Sequence, residues 1–506
     1  RIRKRNGIWP FVLNNAFRPS LTRGQFNGIV SNPPWLALSR LQANPYKDAV
    51  VDLAERFGVM PAGSSFLHAE IATVFFVSSI RDYLTDGGTI ACVMPHTILS
   101  GRHEEPFRQG KYLETTTPVI FSIDEIWDLP KDTFKAHAAV IFATKGNRNK
   151  IDDDVPGLIV HSPNEYEHVT FHYLTNGSAT AYSATARNVA GALDAVSFNQ
   201  GFDGMPRTAV YFNAVKQQNG SWTISSIPRA GDACSFAVSD AKRCKSFSIG
   251  SVANIDDSLV FDAVLSKQLM PFLGINPIKA FLPITYEAPG QVRQLSDTEL
   301  RLIGPANSLL ASRIMQCADE DGNPFYNSHK GYLEYVDNRR KLTQTVSDDS
   351  PWRVLYGAGG SNIAATLIEV SEISRPHKLV VDQTLYWRGA QTKQEALYYV
   401  GLLNSTSIND AIKAFQPSGN FGERHIHTLP LGFISEFDPN DERHIAIAQA
   451  AEKVMTALGQ LLSDNSSVAG LMDPNRGLAP RRRRLQNLLH DLPEFQTLND
   501  ACSSVI

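Results

Sequence analysis

No apolar run in these 506 residues approaches the roughly 18 that a membrane-spanning helix needs. The opening RIRKRNGIWPF also lacks the long apolar core of a secretion signal. Cysteine is scarce: Cys92, Cys234, Cys244, Cys317 and Cys502 stand far apart, and no C-x-x-C pair occurs. Neither a zinc site nor a disulfide framework is indicated, and a reducing cytoplasm is the expected compartment. A strong excess of one charge is missing too, since a net −3 neither demands nor excludes nucleic acid. Phosphate contact depends on local clustering, and RIRKR (1–5), NRRK (338–341) and RRRR (481–484) are the basic clusters, each equally readable as a solvated face. There is no internal repeat, and no constellation of paired acids with lysine that would assign a nuclease.

What is present is a soluble, globular composition, 43% hydrophobic and 20% charged, in a chain long enough for two to four domains. Residues 1–150 read as α/β. FNGIV (26–30) is a short apolar strand, FLHAEIATVFFVSSIRDYL (66–84) carries helical spacing, and TDGG (85–88) supplies the glycines expected at a helix end. GTIACVMP (88–95) and HAAVIFATK (137–145) are further strands, so the order suggests a doubly wound sheet. Residues 151–290 mix short strands such as LIVHS and AVYFNA with Gly, Asn and Ser, a β-rich linking or recognition region. Residues 291–440 read as α+β, from WRVLYGAG and HKLVVDQTLYWR to a helical 398–415, and residues 441–506 as a helical basic tail. GAGGSN (357–362) follows a strand but lacks the G-x-G-x-x-G spacing, which favours a glycine turn over a nucleotide loop.

NPPW (32–35) follows the first apolar strand, where a doubly wound sheet places its ligands. Pro33 and Pro34 carry no N–H, so neighbouring carbonyls meet fewer competing donors, and the Asn32 side chain adds another acceptor. Trp35 contributes a flat ring. Two acceptors and an aromatic face suit a planar ligand with an NH₂ group, and adenine fits. The plainer reading is a Pro-Pro loop with Trp35 as a core anchor.

FNGIVSNPPWL (26–36) is similar to motif IV of adenine-specific DNA methyltransferases that modify the exocyclic amino group. WPFVLNNAFRP (9–19) resembles the lead-in found in the large methylases of restriction–modification and phage-defence systems, and LTDGGTIACVMPHTILSG (84–101) the strand and loop that follow. Further on, NRRKLTQ (338–344), LYGAGGSNIAA (355–365), LLNSTSINDAIKAFQPSGNFGERHIH (402–427) and FDPNDERH (437–444) resemble the same proteins. Asn27 stands where the family usually has Asp. The resemblance implies the C-terminal part of a Rossmann-like methyltransferase sheet in residues 1–150, a target-recognition domain in 291–440, and double-stranded DNA as partner. It implies S-adenosylmethionine as cofactor and Asn32, Pro33, Pro34 and Trp35 as the catalytic loop. Asn32 Oδ1 and the Pro33 carbonyl would accept the amino hydrogens, favouring a more tetrahedral nitrogen. The base must be flipped out of the duplex at a cost of about a few kcal/mol, of which stacking on Trp35 returns about 1–3 kcal/mol. Phe134, in DTFKAHAAVIF, loosely matches the family's second stacking aromatic.

The family builds its cofactor pocket from a Gly-rich first turn and an acidic strand end that precede NPPW, and the 31 residues before Asn32 contain neither. The chain is therefore expected to be part of a longer methylase, or to be completed by another polypeptide or defence-system subunit. Alone, it is expected neither to bind S-adenosylmethionine nor to methylate DNA. Two alternatives stay open: a protein glutamine methyltransferase, since a carboxamide also presents NH₂, and a non-catalytic DNA-specificity module.

Overall fold

The structure, a computed structural model, describes residues 20–61, 68–146, 154–176, 179–184, 196–227, 248–318, 324, 326, 331–360, 362–415, 434–464, 468, 470–473 and 476–505. RIRKR, the 9–19 lead-in, Cys234, Cys244 and the whole 416–427 stretch lie outside these residues. The α/β class expected from the sequence is present, with several mixed sheets and flanking helices. The chain forms two compact units, residues 1–191 with 410–425, and residues 192–409 with 426–506.

The first unit is built on seven strands: β1 (Phe26–Ser31), β2 (Leu84–Pro95), β3 (Phe121–Asp128), β4 (Ala138–Lys145), β5 (Val155–Ser162), β6 (Glu165–Asn176) and β7 (Ala179–Ser183). Their order across the sheet is β1-β2-β4-β3-β5-β6-β7. β1 runs parallel to β2 and β3 parallel to β5, while the other neighbours are antiparallel. The sheet is therefore mixed, and it continues past residue 150 to Ser183. The linking region begins only after three strands that belong to this sheet. β1 is an edge strand among the described residues, and its Val30 is 90% exposed.

Between β1 and β2 the chain crosses over through two helices. Pro45–Arg56 starts where the Asn44 side chain accepts from Lys47 N–H at 3.0 Å and Pro45 occupies the first turn. Ile71–Tyr83 packs on β2 and buries Val74, Phe76, Val77 and Ile80 at helical spacing. The expected glycine cap at its end is corrected: Leu84 is already extended, and Lys145 Nζ donates to the carbonyls of Arg81 (3.2 Å) and Leu84 (2.7 Å). Gly87, at φ 76°, and Gly88 instead form an irregularity at the start of β2, where a Cβ on Gly88 would meet the Phe26 carbonyl at 3.0 Å.

The second unit holds a six-stranded sheet made, in spatial order, by Ser251–Ile255, Trp222–Ser226, Tyr211–Lys216, Ile278–Phe281, Val260–Val264 and Leu379–Val381. A four-stranded antiparallel sheet comprises Ala365–Glu369, Trp352–Gly357, Leu385–Ala390 and Asn199–Gln200. HKLVVDQTLYWR thus forms two strands. Between them the fully buried Asp382 accepts from Tyr211 Oη at 2.7 Å and from Thr384 N–H at 2.9 Å. The helical stretch expected at 398–415 divides at Ser405 into Lys393–Asn404 and Thr406–Lys413. The tail supplies helices Glu442–Asp464, Leu478–His490 and Pro493–Cys502. The first and third of these pack with Lys393–Asn404 in this unit.

Candidate functional site

Parallel β1 and β2 finish at the same end of the first sheet, and the antiparallel β4 begins there, with Ala138 opposite Pro95. β3 ends there too, with Asp128 opposite Ala139. Four strand ends therefore gather Asn32 and Trp35 beyond β1, His96 beyond β2, Asp128 closing β3, Phe134 in the β3–β4 loop, and His137 just before β4.

Asn32 and Pro34 are exposed, Pro33 is buried, and Trp35 is half-buried against the core of the unit. Trp35 Nε1 donates to the Val93 carbonyl at 3.2 Å, which fixes the ring against β2. Beyond it the chain pairs with residues 69–71: Ile71 N–H donates to Leu36 O and Leu38 N–H to Ala69 O, each at 3.0 Å. The Glu70 carboxyl lies by the Leu36 backbone, and burial and the neighbouring Glu104 push its pKa up to about 7. Among the described residues, neither Asn32 Oδ1 nor the Pro33 carbonyl accepts a hydrogen bond. The loop is thus clamped on both sides, while no described residue donates to its acceptors.

Phe134 lies beside Trp35, with ring centroids 5.6 Å apart and planes inclined by 60°. The two expected aromatics are brought together, but edge to face. A base between two parallel rings needs about 7 Å, two stacking layers, so the pair must open to admit one. The loop carrying Phe134 is closed at its base. His137 Nε2 donates to the Leu129 carbonyl at 2.8 Å, Leu129 N–H to Ala138 O at 3.1 Å, and the His96 and His137 rings stack 4.0 Å apart. Asp128 Oδ1 lies 2.9 Å from His137 Nε2 and 3.4 Å from His96 Nε2. Burial pulls the Asp128 carboxyl upward, but the two histidines outweigh it and hold it below the usual carboxylate range. Burial, opposed by Asp128, holds the His96 imidazole below its ordinary value.

His96, Asp128 and His137 bring potential metal ligands within 4.8 Å of one another. A carbonyl only accepts, so the His137 nitrogen facing Leu129 carries hydrogen and offers no lone pair. The trio reads as a brace for the Phe134 loop. Sequence reasoning missed Glu70 and this brace. His96 and His137 fall inside quoted motifs, but β3, which carries Asp128, was not recognised as a strand.

No protein-family model matches the chain, and no curated protein sequence matches it. Among solved structures, it is similar to the Type IIL restriction–modification enzyme MmeI in complex with DNA. The TM-score is 0.52 at 13% identity, over 94% of this chain and 54% of that one. A looser likeness, TM-score 0.41 at 11% identity, links 87% of the chain to 30% of the ATP-dependent Type ISP restriction–modification enzyme LlaBIII bound to DNA. The chain thus has a fold found in restriction–modification enzymes and spans about half the length of MmeI. No helix among the described residues is long and apolar enough to cross a membrane.

Proposed function

We propose that the Asn32–Trp35 loop is the base-side half of a site-specific DNA adenine methyltransferase active site. One observation carries this reading: Asn32 Oδ1 and the Pro33 carbonyl meet no described donor, on a clamped loop at the strand ends, beside Trp35 and Phe134. These acceptors hold the two hydrogens of the adenine amino group and draw the nitrogen lone pair out of the ring. The dipoles are preorganised, so the step needs no strong general base. Trp35 and Phe134 separate to take the flipped base between them, which repays part of the unstacking cost. Pro34 stiffens the loop.

S-adenosylmethionine is the methyl donor in this proposal and supplies an electrophilic sulfonium methyl group. The described residues beside Asn32 include neither the glycine turn nor the terminal carboxylate expected to cradle it, so no residue of this chain is assigned to the donor. Residues 291–440 are proposed to read the target sequence, with double-stranded DNA as the partner.

The test is transfer of tritiated methyl groups by the protein isolated from its native source. Label on the adenine amino group of duplex DNA, lost in Asn32→Ala, supports the proposal. Label on protein glutamine would place the chain in the other chemistry that uses such a loop. Cofactor-independent DNA binding without transfer would leave a specificity module.

A further inference from the structure

In the second unit, Ala358, Gly359, Gly360 and Asn362 and the helix Leu478–His490 line a cavity of about 690 Å³, within the range of small-molecule sites. Among the described residues no aspartate or glutamate lines it, whereas Arg482 and Arg483 do. Arg482 donates to the carbonyls of Gly359 (3.2 Å), Ser266 (3.1 Å) and Leu269 (3.2 Å), with no carboxylate partner among the described residues. Burial, reinforced by Arg481, pushes its pKa down to about 10, the mark of a cation short of negative charge. Arg483 is exposed and makes no hydrogen bond or ion pair among the described residues, and the same holds for the Gln486 amide. Asn362 Oδ1 is buried without a partner. Leu489 and Phe495 back the lining from within the core, and the half-buried Leu478 adds apolar surface to it.

Cationic groups without acids call for an anion, and guanidinium groups favour phosphate. Unpaired amides and an apolar floor call for a flat heterocycle with polar edges. We propose that this cavity is a nucleotide site, taking a nucleoside phosphate with its phosphate at Arg483, in the field of the Arg482 charge. The base lies over Leu478, within reach of Gln486 and Asn362. The phosphate chemistry is shared by two sources, a free mononucleotide and a nucleotide of a DNA strand.

Calorimetry on the whole chain separates them, using the four nucleoside 5′-monophosphates, the matching nucleosides, inorganic phosphate, and a short single-stranded oligonucleotide. At least one monophosphate is expected to saturate the site about tenfold or more tighter than its nucleoside. Arg483→Gln is expected to weaken it about tenfold, and Ala479→Glu, which sets a carboxylate at the exposed lining, to abolish it, with both variants melting as wild type does. Oligonucleotide binding that falls by the same factor in both variants, without mononucleotide binding, keeps the phosphate site and makes DNA its source. A nucleoside that binds as tightly as its monophosphate, binding indifferent to both substitutions, or no binding by any probe overturns the proposal.

Discussion

Asn32 meets no described partner, so replacing it breaks no described hydrogen bond and, in the proposed site, removes a substrate contact. Asn32→Ala is expected to lower methyl transfer by about 10²–10³-fold with DNA affinity near wild type, because the lost acceptor matters most as charge develops on nitrogen. Equal losses in binding and turnover would contradict that role. Trp35 holds its ring with the 3.2 Å bond to Val93 and, in the proposed site, stacks on the base. Trp35→Ala is expected to weaken capture of a flipped base by about 1–3 kcal/mol, and Trp35→Phe to keep much of it because a π-face survives. The fluorescence of 2-aminopurine at the target position reads both. Glu70 is different in kind. Its folded pKa, raised to about 7 chiefly by burial, lies above the ordinary 4.5. The protonated form is therefore favoured on folding, and the stability it brings is complete below pH 4.5 and lost as pH rises through 7. Glu70→Gln keeps a side-chain carbonyl in the same place and removes the charge. Its melting temperature should exceed wild type at pH 8 by an amount corresponding to roughly 3 kcal/mol, and converge with wild type near pH 4.

At the level of elements, the NPPW loop was legible because Pro-Pro breaks both periodicities and the preceding strand is short and apolar. The sheet around it was less so. β3, FSIDEIWD, interleaves acids with apolar residues in a partly buried strand, and its partner β4 was read alone. Without β3 there was no way to see that Asp128 sits between His96 and His137, or that the Phe134 loop is closed at its base. Likewise the TDGG glycines read locally as a helix cap, while the tertiary partner Lys145 ends the helix and the glycines distort β2. The brace has its own test. Asp128 is held below its ordinary pKa, so its contribution is present at neutral pH and lost on acidification through the folded value. Asp128→Asn is expected to destabilise the unit by roughly 1–3 kcal/mol at pH 7. It should also speed hydrogen exchange across residues 129–137, with the difference from wild type shrinking in acid. Unchanged exchange in that loop would show that the three side chains do not hold it.

Across the whole molecule, basic clusters read from sequence overstate the charge available to DNA. RRRR divides in two. Arg481 is 3% exposed and donates to the carbonyls of Leu471 and Lys267, and Arg482 is spent on three more, whereas Arg484 is exposed and without a described partner. Burial is invisible in a run of four identical residues, since only the helix and its neighbours decide which side chains turn inward. If the second unit binds duplex DNA as proposed, affinity falls steeply with salt, and Arg484→Gln lowers the salt slope by about 1. Arg481→Gln should leave that slope alone and lower the melting temperature. The central claim, that Asn32 and Pro33 present an adenine amino group for methylation, is tested most directly in cells carrying the native gene. Chromosomal DNA is digested, and methylated adenine is quantified by mass spectrometry and mapped to sequence, for the wild-type and Asn32→Ala alleles. The account predicts adenine methylated on its exocyclic amino group at one recurring sequence in wild type, and loss of that mark from the variant at equal protein abundance. Methylation that persists in Asn32→Ala, or a wild-type chromosome without the mark, would contradict it.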